Sequence, residues 1–172
     1  MRKRVAPLAS LMPLAYLLFL NFALAAYLTG VIWVVQLVTY PALLLVGKPE
    51  FSRYHAAHTR GMGWAVGAPM VLELALAAWL AWAAYPAWGA GRALGQLALV
   101  VVVWLATFFI AVPFHNRLEA GGYNYVALDG LVRTNWLRTL AWTARAAWLG
   151  WLLWQLSAEY LPALPNIRAV AP

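Results

Sequence analysis

Three histidines, a handful of arginines and one acidic residue stand out against an otherwise apolar chain. His55 and His58 lie in "YHAAHTR", spaced i and i+3, so one helical turn puts them on the same side. His115 lies in "VPFHNRL", and a third cluster opens "NWLRTLAWTARAAWL" with Asn135, Arg138, Thr139, Trp142 and Arg145. An imidazole at neutral pH serves as a general base, and an arginine beside an amide serves to hold a developing oxyanion. The same three imidazoles are good ligands for zinc, copper or iron, and two of them suit the axial positions of a haem. Two chemistries are therefore open: proton abstraction at His55, His58 or His115 with Asn135 and Arg138 stabilising the anion, or a metal or haem centre on the histidines. Tyr40, Arg60, Asn116 and Trp142 are the expected substrate-binding neighbours.

The elements that must carry these residues are membrane helices. Of the 172 residues, 65% are hydrophobic and 10% charged, with a mean hydropathy of +0.73. A globular core needs a polar shell that this composition does not supply, so the solvent is lipid. The net charge of +7 has no soluble basic domain to serve it, which excludes nucleic acid and points to lipid headgroups. The absence of cysteine removes disulfides and thiolate chemistry.

Hydropathy predicts an all-α, integral membrane four-helix bundle in one transmembrane domain spanning 1–172. The predicted helices cover about 22–47, 62–88, 93–115 and 136–161. Residues 1–21, with Pro13 and Asn21, read as a bent or interfacial extension, because the apolar run Leu8 to Val46 is long for one crossing. A cleaved signal is the rival reading, with Arg2-Lys3-Arg4, an apolar run and Ala23-Leu24-Ala25 as its parts. Residues 47–61 and 115–134 read as long loops on one membrane face, the second holding a short interfacial helix in "NYVALDGLV"; residues 162–172 read as a tail. The two faces carry similar basic charge, so orientation is left open.

Helical geometry then assigns the polar residues to the bundle interior. At 100° per residue, Asn135, Arg138, Trp142 and Arg145 share an arc of about 80°, which must face protein or a wet cavity. Glu73 lies nine residues after Trp64, and Arg145 nine after Trp136. Both are thus about 13 to 14 Å deep, and opposite charges at one depth are expected to pair. The same counting places Gln36 and Thr107 with them, in a buried polar layer of Gln36, Glu73, Thr107 and Arg145.

"VPFHNRL" and "TNWLRTLAWTARAAWL" resemble the end of the third helix and the start of the fourth in a family of small four-helix membrane proteins related to anthrone oxygenases. Pro113, Asn116 and Leu118, then Asn135, Arg138 and Thr139, occupy the places of the family's motifs, and His115 stands where the family often has Asn. The similarity covers about 40 residues well. It implies a membrane-embedded oxidoreductase that oxidises a lipophilic aromatic compound with molecular oxygen, and no cofactor is required for that. Besides the metal or haem reading, the remaining alternative is a non-catalytic protein that binds lipid or quinone, or an accessory subunit. The expected partners are membrane lipids, a lipophilic small molecule and a homo-oligomer or membrane partner, with the bacterial inner membrane the expected location.

Overall fold

The computed structural model describes residues 8–160, with side chains over 12–86 and 88–158. These residues are helical almost throughout and contain no strand. The helices are α1 (Leu8–Val34), α2 (Tyr40–Leu43), α3 (Lys48–Met62), α4 (Ala68–Ala106), α5 (Val112–Gly121) and α6 (Tyr125–Tyr160). They combine into four rods, because α1 runs into α2, α3 into α4, and α4 into α5 through single wide turns at Val35–Thr39, Gly63–Gly67 and Thr107–Ala111. The second rod meets the third inside α4 at Gly89, whose φ of 72° and ψ of 172° break the helix three residues after Pro86. A side chain is strained at that φ, so glycine suits the bend. The chain is an all-α four-helix bundle, and three rods, Met12–Leu43, Lys48–Pro86 and Trp88–Gly121, are long and apolar enough to cross a membrane.

The rods are longer than hydropathy predicts, which corrects three expectations. Residues 8–21 are not a bent extension: they belong to α1, with Pro13 inside it. Asn21 explains why this segment stays in the bundle, since its amide donates to the carbonyl oxygens of Leu17 at 2.9 Å and Leu76 at 3.1 Å. The loop expected at 47–61 is α3, with Pro49 and Glu50 in its first turn, where a missing N–H and a negative charge are both tolerated. The loop expected at 115–134 shrinks to Gly122–Asn124. Gly122, at φ 71°, ends α5 by donating its N–H to Leu118 O at 3.0 Å. Asn124 caps α6 by accepting from the Ala127 N–H at 3.0 Å. The segment "NYVALDGLV" is thus the beginning of the fourth rod rather than a separate interfacial helix. The expected tail 162–172 lies outside the described residues.

The three wide turns have a common cause. Each is a π turn, in which an N–H reaches back five residues: Tyr40 to Val35 O, Ala68 to Gly63 O and Val112 to Thr107 O. The next residue is a proline every time, at 41, 69 and 113. Proline lacks the N–H and its ring presses on the carbonyl four residues back, so the turn before it widens. Ala65, four before Pro69, gives its carbonyl to the Tyr27 hydroxyl at 3.0 Å instead.

Two apolar clusters hold the rods together. One, around Leu28, Phe51, Met70, Leu128 and Leu131, surrounds the end bearing the π turns; the other, around Leu18, Leu80, Ala84 and Leu149, fills the opposite end. Outward-facing side chains are also apolar, with Trp64 78% and Phe109 75% exposed. That surface suits lipid and not water.

Candidate functional site

The stripe that opens α6 points inward as helical geometry requires. Asn135, Arg138, Thr139, Trp142 and Arg145 are all buried, none more than 7% exposed. They divide into two polar layers. Asn135 and Arg145 are ten residues apart, roughly 15 Å along the helix.

The deeper layer is built on the expected ion pair. Arg145 Nη1 donates to Glu73 Oε1 at 2.8 Å, with both side chains within 1% of complete burial. Trp142 Nε1 donates to the other carboxylate oxygen at 2.9 Å. Arg145 Nη2 donates to Asn21 Oδ1 at 2.8 Å and Gln96 Oε1 at 3.1 Å. Each of the four rods therefore contributes a polar group, and low dielectric strengthens every bond in such a network. Gln96 is not singled out in the sequence, and Asn21 only as a mark of the expected bent extension, although each is a lone amide inside an apolar run. Conversely, Gln36 and Thr107 do not belong to this layer, which corrects the expected composition. Thr107 donates to Val103 O of its own helix at 2.8 Å, as helical Thr does when no other acceptor is near. Trp142 is likewise a wall of the ion pair and not a substrate contact, because its indole is fully buried there.

The outer layer is a continuous chain of hydrogen bonds. His55 Nε2 lies 3.1 Å from His115 Nδ1, and His115 Nε2 lies 3.2 Å from Tyr40 Oη. Arg138 Nη2 donates to Tyr40 Oη at 3.0 Å and also to Asn135 Oδ1. Asn135 Nδ2 donates to Gln36 Oε1 at 2.9 Å, and Gln36 Nε2 ends the chain on Val132 O at 3.1 Å. Counting depth from the edge of the apolar run misplaces Gln36, since the first rod stops at Leu43 while α3, α5 and the start of α6 project further.

A cavity of about 300 Å³ opens beside this chain. Tyr40, His58, His115, Asn116, Glu119 and Arg138 form its polar end. Ile32, Val35, Met62, Val66, Met70 and Val112 form an apolar remainder. All three π turns contribute to its wall, through Val35, through Gly63, Val66 and Gly67, and through Thr107. A methyl group on Gly63 or Gly67 would meet no atom within 4 Å, so these glycines leave room and are not required for packing. The prolines thus act in the cavity's favour by widening the turns around it.

The cavity sorts the sequence candidates. His58, His115, Arg138, Tyr40 and Asn116 line it; His55 and Asn135 stand behind it as hydrogen-bond partners; the exposed Arg60 is not part of it. The three histidines converge, with ring centroids 5.3 Å apart for His55 and His115 and 6.1 Å for His58 and His115. They nonetheless do not form the three-histidine ligand set of the alternative metal reading: among the described residues no group of three His, Cys, Asp or Glu is placed to hold a metal ion. The physical reason is that His115 turns both ring nitrogens to hydrogen-bond partners, one to His55 and one to Tyr40.

Gly130 determines how closely α5 approaches α6 at this point. A methyl group there would come within 2.5 Å of the Phe114 ring, next to His115. Gly130→Ala is expected to destabilise the bundle by about 1 to 3 kcal/mol through overpacking. Thermal unfolding in detergent measures it, and an unchanged midpoint would show that the ring moves away freely. No family model, curated protein or solved structure matches the chain.

Proposed function

We propose that the cavity binds a lipophilic small molecule carrying an acidic O–H or C–H group, and that the protein acts on it as a membrane-embedded oxidoreductase of oxygenase type in the cell membrane. One observation carries this reading. Arg138 is 7% exposed, lies at the polar end of a cavity whose remainder is apolar, and has no carboxylate within ion-pair distance among the described residues. A buried guanidinium is costly without an anion, and an anion formed from the bound ligand would supply one. Glu119 lines the same cavity but makes no salt bridge to it.

The chemistry follows from the groups present. An imidazole removes the proton, either His58 directly or His115 by way of the Tyr40 hydroxyl, and Arg138 holds the resulting oxyanion. An electron-rich phenolate or enolate then gives electrons to molecular oxygen, which is the oxidant. The resemblance to the family related to anthrone oxygenases points the same way.

The test is purification in mild detergent with mass spectrometry of the bound lipophile, followed by oxygen uptake with an alkylated hydroxyarene. Wild-type protein is expected to consume oxygen and His115→Ala to lose at least about 100-fold in rate, the usual scale for a general base, while still inserting and folding. A retained lipophile with no oxygen uptake would leave a binding protein and end the oxidoreductase reading.

A further inference from the structure

The hydrogen bonds around Tyr40 are satisfied together by one arrangement of protons. A guanidinium has donors and no acceptor, so Tyr40 Oη accepts from Arg138. The single hydroxyl hydrogen of Tyr40 is then left for its other partner, His115 Nε2. Among the described residues the hydroxyl has no second acceptor, so without a ligand that nitrogen accepts and the hydrogen of the neutral ring sits on Nδ1. Nδ1 faces His55 Nε2, so His55 accepts there and carries its own hydrogen on Nδ1. The polarity of the whole chain is thus imposed by Arg138.

We propose that Arg138, Tyr40, His115 and His55 form a polarised proton relay that takes a proton from a ligand at Tyr40 and delivers it to His55 behind the cavity wall. Its two ends are placed for this. Tyr40, His115 and Arg138 line the cavity, whereas His55 does not and is 1% exposed. The His55 ring is held by stacking on Phe51, with centroids 5.7 Å apart and planes 15° from parallel.

The step balances without an oxidant or reductant. The ligand's O–H or C–H bond breaks and its proton bonds to Tyr40 Oη. The original Tyr40 proton passes to His115 Nε2, and the His115 Nδ1 proton passes to His55 Nε2. The ligand is left as an anion beside Arg138, and His55 becomes an imidazolium. The two hydrogen bonds made by His115 have then reversed, with His115 donating to Tyr40 from Nε2 and accepting from His55 at Nδ1. Arg138 still donates to Tyr40, and the Tyr40 hydroxyl points at the ligand. Tyr40 and Arg138 are the residues that meet the ligand, while His55 acts on it only through His115 and Tyr40. The relay rests on the proposed function only in requiring an acidic ligand.

Nitrogen-15 NMR of the full chain with labelled histidine, in lipid nanodiscs, reads the relay directly. Without ligand, His115 and His55 are expected as neutral rings protonated on Nδ1; His115 protonated on Nε2 would overturn the proposal. The probe is 4-nitrophenol bearing a dodecyl chain, whose absorbance reports its phenolate. On binding it, His115 is expected to switch to the Nε2–H form and His55 to gain a second N–H, and Tyr40→Phe is expected to lose both changes. A bound phenolate that leaves His55 neutral in the wild type, or protonates it equally in Tyr40→Phe, would sink the relay. A probe that does not bind would count against the proposed function instead, with the ligand-free tautomers still deciding the relay's polarity.

Discussion

Replacing Glu73 with alanine is expected to lower the stability of the bundle by about 3 to 5 kcal/mol, the scale for breaking a buried pair by removing one partner. The loss arises less from the missing attraction than from what is left behind. Arg145 would keep its hydrogen bonds to Asn21 and Gln96 but would be a fully buried cation with no anion, in a layer to which all four rods contribute. Trp142 would lose the acceptor for its indole N–H as well. Glu73→Gln retains an acceptor for Arg145 and is expected to cost less than the alanine variant. The double variant Glu73→Met with Arg145→Leu removes both charges and is expected to recover much of the loss, because two apolar side chains of similar volume need no partners. Chemical unfolding in detergent, comparing the singles with the double, checks this. A double variant as unstable as Glu73→Ala would mean that the layer holds the rods by shape and not by charge.

Arg138→Gln is expected to separate stability from function. Among the described residues Arg138 is a buried cation without a carboxylate partner, so removing its charge is expected to leave the unfolding midpoint unchanged or higher. Binding of an anionic lipophile is expected to weaken roughly 10- to 100-fold, the equivalent of a hydrogen bond to a charged group at about 1.5 to 3 kcal/mol. Measuring unfolding and dodecyl-nitrophenol binding on the same preparation checks both halves. A destabilised variant with unaltered binding would assign Arg138 to the scaffold and remove the observation on which the proposed function rests. The contrast with Glu73 is instructive: one buried charge is neutralised inside the fold, and the other is left facing a cavity.

Much of the architecture was legible because polar groups in lipid are expensive and therefore few. Glu73 and Arg145 were found by counting residues from Trp64 and Trp136, since a helix converts residue number into depth. The same counting failed for Gln36, because the first rod ends well short of its neighbours on that side. The helical extent of 48–62 and 115–134 was also missed: hydropathy reports which residues lipid tolerates, and these polar segments stay helical by packing against one another outside the apolar band. The π turns left a readable trace in Pro41, Pro69 and Pro113, but one proline states only that a turn is disturbed. Gln96 and Asn21 carried the same signal as Gln36, a lone amide among apolar residues, and only their contacts with Arg145 distinguish them from it.

The sequence by itself determined that this is an all-α chain with helices suited to lipid, and that the polar stripe of the last helix faces inward. Composition and periodicity suffice for that, because burial in an apolar solvent punishes every misplaced charge. Beyond the Glu73–Arg145 pair, the tertiary structure alone decided which polar groups meet. It placed Asn21 and Gln96 at the ion pair, put three π turns around one cavity, set Arg138 at its polar end without a counter-charge among the described residues, and turned His115 toward Tyr40 and His55. Those outcomes depend on the rotation and length of each rod against its neighbours, and no single helix carries that information in its own residues.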